Sequence, residues 1–197
     1  MILLVRHAES EWNRVFSRTR IDPGLPDPPL TASGRRQAQA LAEELAGSGP
    51  RLILTSPYRR ALETARILQH RLRLPVEVEP LVRERFAFSC DVGTRASRLR
   101  EEWPEFRFDG LDERWWSAEL ESDASVESRC RAFWAKLAEG VWPLPLVVVS
   151  HWGFLLALTG KRLDNGAVLR LEWPGANGKR DVADERGAWE RTRQRRP

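Results

Sequence analysis

Ile2-Leu3-Leu4-Val5-Arg6-His7-Ala8-Glu9-Ser10-Glu11-Trp12-Asn13 opens the chain with an apolar run that breaks into charge at an arginine and a histidine. A short apolar run bounded by polar residues fits a strand buried on both faces of a sheet. The pattern recurs at Leu52–Thr55, Val76–Glu79 and Leu146–Ser150, and Ala167–Trp173 is a candidate edge strand. Helix-period segments lie between these runs. After Thr31, apolar Ala38, Leu41, Ala42 and Leu45 fall at i, i+3, i+4 and i+7, and the pattern stops before Gly47 and Gly49. The stretch from Ser56 to about Leu74 begins Ser-Pro, read as a cap with proline at the first helical position, and carries Ala61, Ala65, Leu68 and Leu72 on one face. Val126, Cys130, Phe133 and Leu137 mark a helix over roughly 122–140, and Phe154–Leu158 reads as a buried helix. Strands alternating with helices predict a single α/β domain whose mostly parallel central sheet is flanked by helices. Between about 80 and 121 the periodicity weakens. That charged region, with Trp103, Trp115 and Trp116, is expected to be a helical insertion after the third strand, over about 85–121, closing one end of the sheet.

At 197 residues with 42% hydrophobic content, the chain can bury one full core, assigned to residues 1–178. No window approaches the ~18 consecutive apolar residues of a membrane helix, so no membrane association and a cytoplasmic setting are expected. Cys90 and Cys130 stand far apart with no Cys/His cluster, which excludes a disulfide framework or structural zinc from the expectations and leaves both as reduced thiols. Residues 179–197 hold seven Lys and Arg against four Asp and Glu, a net of +3 out of the whole-chain +4. The excess is a basic C-terminal tail on a nearly neutral body, so nucleic acid is not an expected partner. A homodimer is compatible with these numbers.

In open parallel sheets, ligands bind beyond the carboxyl ends of the strands. The first strand leads into Arg6 and His7, the second into Ser56-Pro57-Tyr58-Arg59-Arg60, and the fourth into Ser150-His151-Trp152-Gly153, with Glu84 following the third. Guanidinium forks match phosphate oxygens, and a neutral imidazole can attack phosphorus. Arg6, an arginine of the 59/60 pair and His151 could supply the charge that phosphoryl transfer needs without a metal or cofactor. A nearby carboxyl group would serve as general acid, then base. A lone histidine after a strand is more often structural; two, each with arginines in reach, are read together as functional. His70, late in a helix, is read as a surface residue. Spacing alone does not choose between Arg59 and Arg60, nor among Glu77, Glu79 and Glu84.

These motifs resemble the histidine phosphatase superfamily, over about residues 1–160. Arg6-His7-Ala8-Glu9-Ser10 is similar to the family's opening signature. Leu30-Thr31-x-x-Gly34-x-x-Gln37-Ala38, Thr55-Ser56-Pro57-x-x-Arg60-Ala61-x-x-Thr64-Ala65, Val82-Arg83-Glu84 and Val148-Val149-Ser150-His151-x-Gly153 are similar to its later segments. The resemblance implies His7 as the phosphorylated nucleophile, with Arg6, Arg60 and His151 as the phosphate pocket and Glu84 as the acid/base. It adds Ser10 and Asn13 as phosphate contacts, and Arg85 and Trp152 are expected to meet the substrate. Ala8 and Trp152 stand where the commonest pattern has glycine, the second placing a large ring over the pocket. The implied activity is metal-independent hydrolysis of small phosphate monoesters. Residues 82–91 look more like a phosphatase branch than the glycolytic mutases, and a phosphoglycerate mutase-type phosphotransferase is the alternative. A third reading, a silent phosphate-ligand or nucleic-acid binder using the tail and the tryptophans, conflicts with the joint retention of His7, Arg6, Arg60, Glu84 and His151.

Overall fold

The computed structural model describes residues 1–173, so the basic tail and the boundary expected at 178 lie outside the described residues. The elements follow in the order β1 (Ile2–Arg6), α1 (Glu11–Thr19), α2 (Ala32–Leu45), β2 (Leu52–Thr55), α3 (Arg59–Leu72), β3 (Val76–Val78), α4 (Ala96–Glu102), α5 (Asp123–Ala138), β4 (Leu146–Ser150), α6 (Trp152–Thr159) and β5 (Val168–Leu171). They build one sheet of strand order β3-β2-β4-β1-β5. β3, β2, β4 and β1 are parallel, and β5 closes the edge antiparallel to β1.

Alternation along the buried strands divides the core between the two faces of the sheet. Leu3, Val5, Ile53, Val147 and Val149 pack with Leu41, Ala42 and Leu45 of α2 and Ala61, Leu62, Ala65 and Leu68 of α3. Ile2, Leu4, Leu52, Leu54, Leu146 and Val148 pack instead with Val126, Cys130, Phe133 and Leu137 of α5 and Phe154 and Leu155 of α6. Helices thus cover both faces, as the doubly buried strands require. Among the described residues, no helix is long and apolar enough to cross a membrane.

Three details depart from the sequence reading. The second helix begins at Arg59, with Tyr58 as its N-cap, rather than at Ser56-Pro57. Ser56 and Pro57 instead form the turn leaving β2, and the Ser56 hydroxyl lies 2.8 Å from His151 Nε2. Helix α1 was not anticipated. Its signals are the reciprocal cap of Ser10 and Asn13 and the stacked pair Trp12 and Phe16. The insertion is less helical than expected, with one seven-residue helix, α4, and a short 3-10 turn at Ser89–Asp91, and a second such turn, Pro80–Val82, precedes it. Apolar burial holds it instead: Trp103, Phe106, Phe108, Leu111 and Trp115 extend the α2/α3 core, and the backbone at Arg107 forms a parallel bridge with Glu77 of β3.

Candidate active site

The register of β1 on β4 pairs Arg6 with Ser150, so His7 and His151 are each the next residue after adjoining strand ends. The ladder continues one step further, with the His7 amide donating to the Ser150 carbonyl at 2.9 Å and the Ser56 amide to Val149 at 3.1 Å. This brings the two buried imidazoles to 5.0 Å between ring centroids.

His7 Nδ1 lies 2.8 Å from the carbonyl oxygen of Ala8. A carbonyl only accepts, so Nδ1 carries the proton and Nε2 keeps its lone pair. Burial, then the positive fields of Arg60 and Arg6, holds protonation of His7 well below the usual histidine range. Burial and the fields of Arg60, His7 and Arg6 do the same to His151. Both rings are therefore neutral at pH 7. Ala8 does not adopt positive φ, so alanine sits there without strain. It packs on Leu30 and Ala38. Gly34 on α2 lets this segment approach closely, because a Cβ there would clash with the Glu9 carbonyl.

Arg60 is buried. Its Nη1 donates to the Cys90 carbonyl at 2.7 Å, its Nη2 to Asp91 Oδ1 at 3.1 Å, and its guanidinium lies 4.4 Å over the Tyr58 ring. Arg59 is exposed and faces Glu63, so the structure separates two arginines that spacing could not. Arg6 donates through Nη1 to Leu163 at 2.9 Å. Its Nε, like His151 Nδ1, is buried with no hydrogen-bond partner among the described residues.

Glu84 sits at the N-terminus of α6. Oε1 accepts from the amides of Arg85 at 2.8 Å and Phe154 at 3.1 Å, and Oε2 accepts from Gly153 at 3.1 Å. Burial first and the negative field of Asp91 second raise its proton affinity, outweighing those amides. Gly153 permits this seat, since a Cβ there would stand 2.5 Å from Glu84 Oε1. The competing carboxylates lie elsewhere: Glu77 is exposed, while Glu79 caps the Leu81 amide and pairs with Lys136 at 2.7 Å.

Ser10 and Asn13 spend much of their bonding on capping α1, and Asn165 links them to the site by donating to Asn13 Oδ1 and to the His7 carbonyl. Trp152 is 42% exposed. Arg85, expected at the substrate, pairs with Asp123 at 2.5 Å and donates to the Glu121 carbonyl at 2.8 Å. Sequence reasoning missed Asp91, Asn165 and the Ser56 contact to His151. The Asn165-Gly166 turn dipeptide could have flagged the second. His70 is exposed, as expected, and both cysteines are buried and free. Among the described residues, no three His, Cys, Asp or Glu side chains gather as a metal site.

Known proteins resemble this chain in sequence and fold. The chain is 35% identical to phosphoserine phosphatase 1 of Hydrogenobacter thermophilus over 158 residues, 76% of this chain and 70% of that protein. It is 31% identical to glucosyl-3-phosphoglycerate phosphatase of Mycobacterium tuberculosis over 189 residues, 90% of this chain and 80% of the relative. The solved structure of a mycobacterial glucosyl-3-phosphoglycerate phosphatase with VO3 superposes with a TM-score of 0.61 at 28% identity, covering 87% of this chain and 91% of that one. The family model for the histidine phosphatase superfamily (branch 1) matches residues 2–182, and the chain belongs to that superfamily.

Proposed function

We propose that the protein is a phosphoric monoester hydrolase that works without a metal, through a phosphohistidine at His7. The observation that carries this reading is the fixed tautomer of His7: a buried, neutral imidazole whose Nδ1 proton is held by Ala8, leaving the Nε2 lone pair for phosphorus. Arg6 and Arg60 neutralise the phosphoryl oxygens, and the neutral His151 adds a hydrogen-bonding group beside them. Nε2 attacks phosphorus, the ester P–O bond breaks, and Glu84 gives its proton to the departing oxygen. Water then attacks the phosphohistidine, Glu84 takes a proton from it, and the P–N bond breaks to release inorganic phosphate. The raised proton affinity of Glu84 suits the first half of that cycle. Phosphatases among the relatives favour water over a second hydroxyl as acceptor.

Rapid quench with a substrate labelled in its phosphoryl group tests this directly. The wild type is expected to trap acid-labile, base-stable label, His7→Ala to trap none and to lose turnover by at least about 10⁴-fold. Activity is expected to survive EDTA and to be inhibited by vanadate. Label at wild-type level in His7→Ala, or a requirement for added divalent metal, overturns the reading.

A further inference from the structure

Asp91 lies in the 3-10 turn Ser89–Asp91 and is 1% exposed, yet the hydrolytic cycle assigns it nothing. Its bonding reaches two parts of the site at once. Oδ1 accepts from Arg60 Nη2 at 3.1 Å, and the preceding carbonyl, Cys90, accepts from Arg60 Nη1 at 2.7 Å. Oδ2 accepts from the amides of Ala87 and Phe88, each at 3.0 Å, which fixes the backbone leaving Glu84. The Asp91 carbonyl accepts from the buried Tyr58 hydroxyl at 2.6 Å, and Tyr58 underlies Arg60. One turn therefore grips two of the five N–H groups of the Arg60 guanidinium and leaves three for an anion.

We propose that Asp91 is a positioning residue shared by two halves of the site: it orients Arg60 toward phosphate, and its charge acts on the Glu84 carboxyl. The proposal rests on the hydrolase reading above. Arg60 would keep its charge without Asp91 but not its aim, because among the described residues no other carboxylate bonds it. Around Glu84, the amides of Arg85, Gly153 and Phe154 and the cations Arg6 and Arg60 favour the ionised form. Arg129 donates to its carbonyl at 3.4 Å. Tyr58 and Cys90 are neutral, both pushed up chiefly by burial. Asp91 is thus the negative neighbour that opposes those cations. A general acid must hold its proton, so turnover of alkyl phosphates falls as pH rises through the Glu84 titration.

The test compares Asp91→Asn, Asp91→Glu and Glu84→Gln by kcat/KM against pH on an alkyl phosphate, with vanadate affinity as a second readout. The wild-type alkaline limb is expected to vanish in Glu84→Gln and to move roughly one pH unit lower in Asp91→Asn, as loss of a close like charge should do. Vanadate is expected to bind about 10-fold more weakly to Asp91→Asn, the scale of a bond to a charged group. Asp91→Glu keeps the charge and displaces the oxygen, so its limb stays in place while its vanadate affinity falls. An unmoved limb in Asp91→Asn, or vanadate affinity equal to wild type, overturns the shared role. If Asp91→Asn does not fold, Asp91→Glu decides, and a displaced limb or wild-type vanadate affinity there overturns it as well. A wild-type limb that survives Glu84→Gln speaks instead against the Glu84 assignment, and absence of trapped label speaks against His7.

Discussion

Two regions meet in the site, and they are held in different ways. The residues around His7, Ser56 and His151 follow strands, and their backbone positions are determined by the parallel ladder that pairs Arg6 with Ser150 and continues to Val149. Residues 84–91 follow no strand end in register. They hang on side chains: Asp91 on the amides of Ala87 and Phe88, and Arg129, which donates to the carbonyls of Leu81 and Arg83 while paired with Glu121 at 2.7 Å. A ladder shares its load over many hydrogen bonds. A buried ion pair does not, and removing one partner costs about 3–5 kcal/mol because the other is left unpaired. Single substitutions should therefore disturb chemistry more selectively in the loop-borne region than in the strand-borne one.

Glu84→Gln makes the sharpest cut, because it keeps the shape of the loop-borne region and removes its proton. Phosphorylation of His7 by alkyl phosphates is expected to slow by roughly 10²–10⁴-fold, and by much less for p-nitrophenyl phosphate, whose phenol departs as the anion. Single-turnover kinetics are needed, since the same residue also activates water and steady-state rates on both substrates will fall together. Equal slowing of the phosphorylation step with both leaving groups would remove Glu84 from the role of acid.

The same division governed what could be read in the sequence. Apolar runs such as Leu146–Val149 announce buried strands, and α/β order follows from their alternation with helices; placing His7 beside His151 needed only the rule that ligands gather at carboxyl ends. Choosing Arg60 over Arg59, and Glu84 over Glu77 or Glu79, came from resemblance and not from periodicity. Asp91 was illegible because its partners, Arg60, Ala87 and Phe88, meet through an irregular turn with no repeat to betray it. Helix α1 escaped notice because its apolar stripe, Trp12, Val15 and Phe16, is confined to about one turn of a nine-residue helix. Ser56-Pro57 carries a genuine helix-start signal that the fold overrides, since the Ser56 hydroxyl is held at His151.

Gly153→Ala probes whether the loop-borne carboxyl is seated as tightly as the geometry implies. The added Cβ would stand 2.5 Å from Glu84 Oε1 and 3.3 Å from Arg85 Cβ, so Glu84 must shift. Displacement of a reacting group by about 1 Å can cost about 10²-fold, and alkyl phosphate turnover is expected to fall on that scale. Alanine is the better helix former, which offsets part of the strain in α6, so thermal melting should move by only a few degrees. Wild-type turnover would show that the seat is loose; a collapse in melting temperature would show that the contact is structural.

The smallest effect separates the two regions by the sign of their pH dependence. In the strand-borne region His7 and His151 have lowered proton affinity, chiefly through burial. Above the usual histidine value of 6.5, folded and unfolded imidazoles are both neutral and the pair adds no pH slope. As pH falls below it, the unfolded chain takes up protons that the folded chain refuses, and stability drops by about 1.4 kcal/mol per pH unit per histidine until the folded rings titrate. Glu84 runs the other way. Its folded carboxyl holds its proton above the usual 4.5, again chiefly through burial. Its contribution is complete below 4.5 and is lost as pH rises, at the same rate per unit, until the folded carboxyl ionises. Buried Asp27, which caps the Arg59 amide, shares that sense. Between 4.5 and 6.5 these slopes oppose one another in the wild type, and single variants expose them. Urea unfolding across that interval is expected to favour His151→Asn over wild type increasingly as pH falls, and Glu84→Gln over wild type increasingly as pH rises. If the two variants shift with the same sign, the electrostatic contrast between the regions is wrong, whatever their rates show.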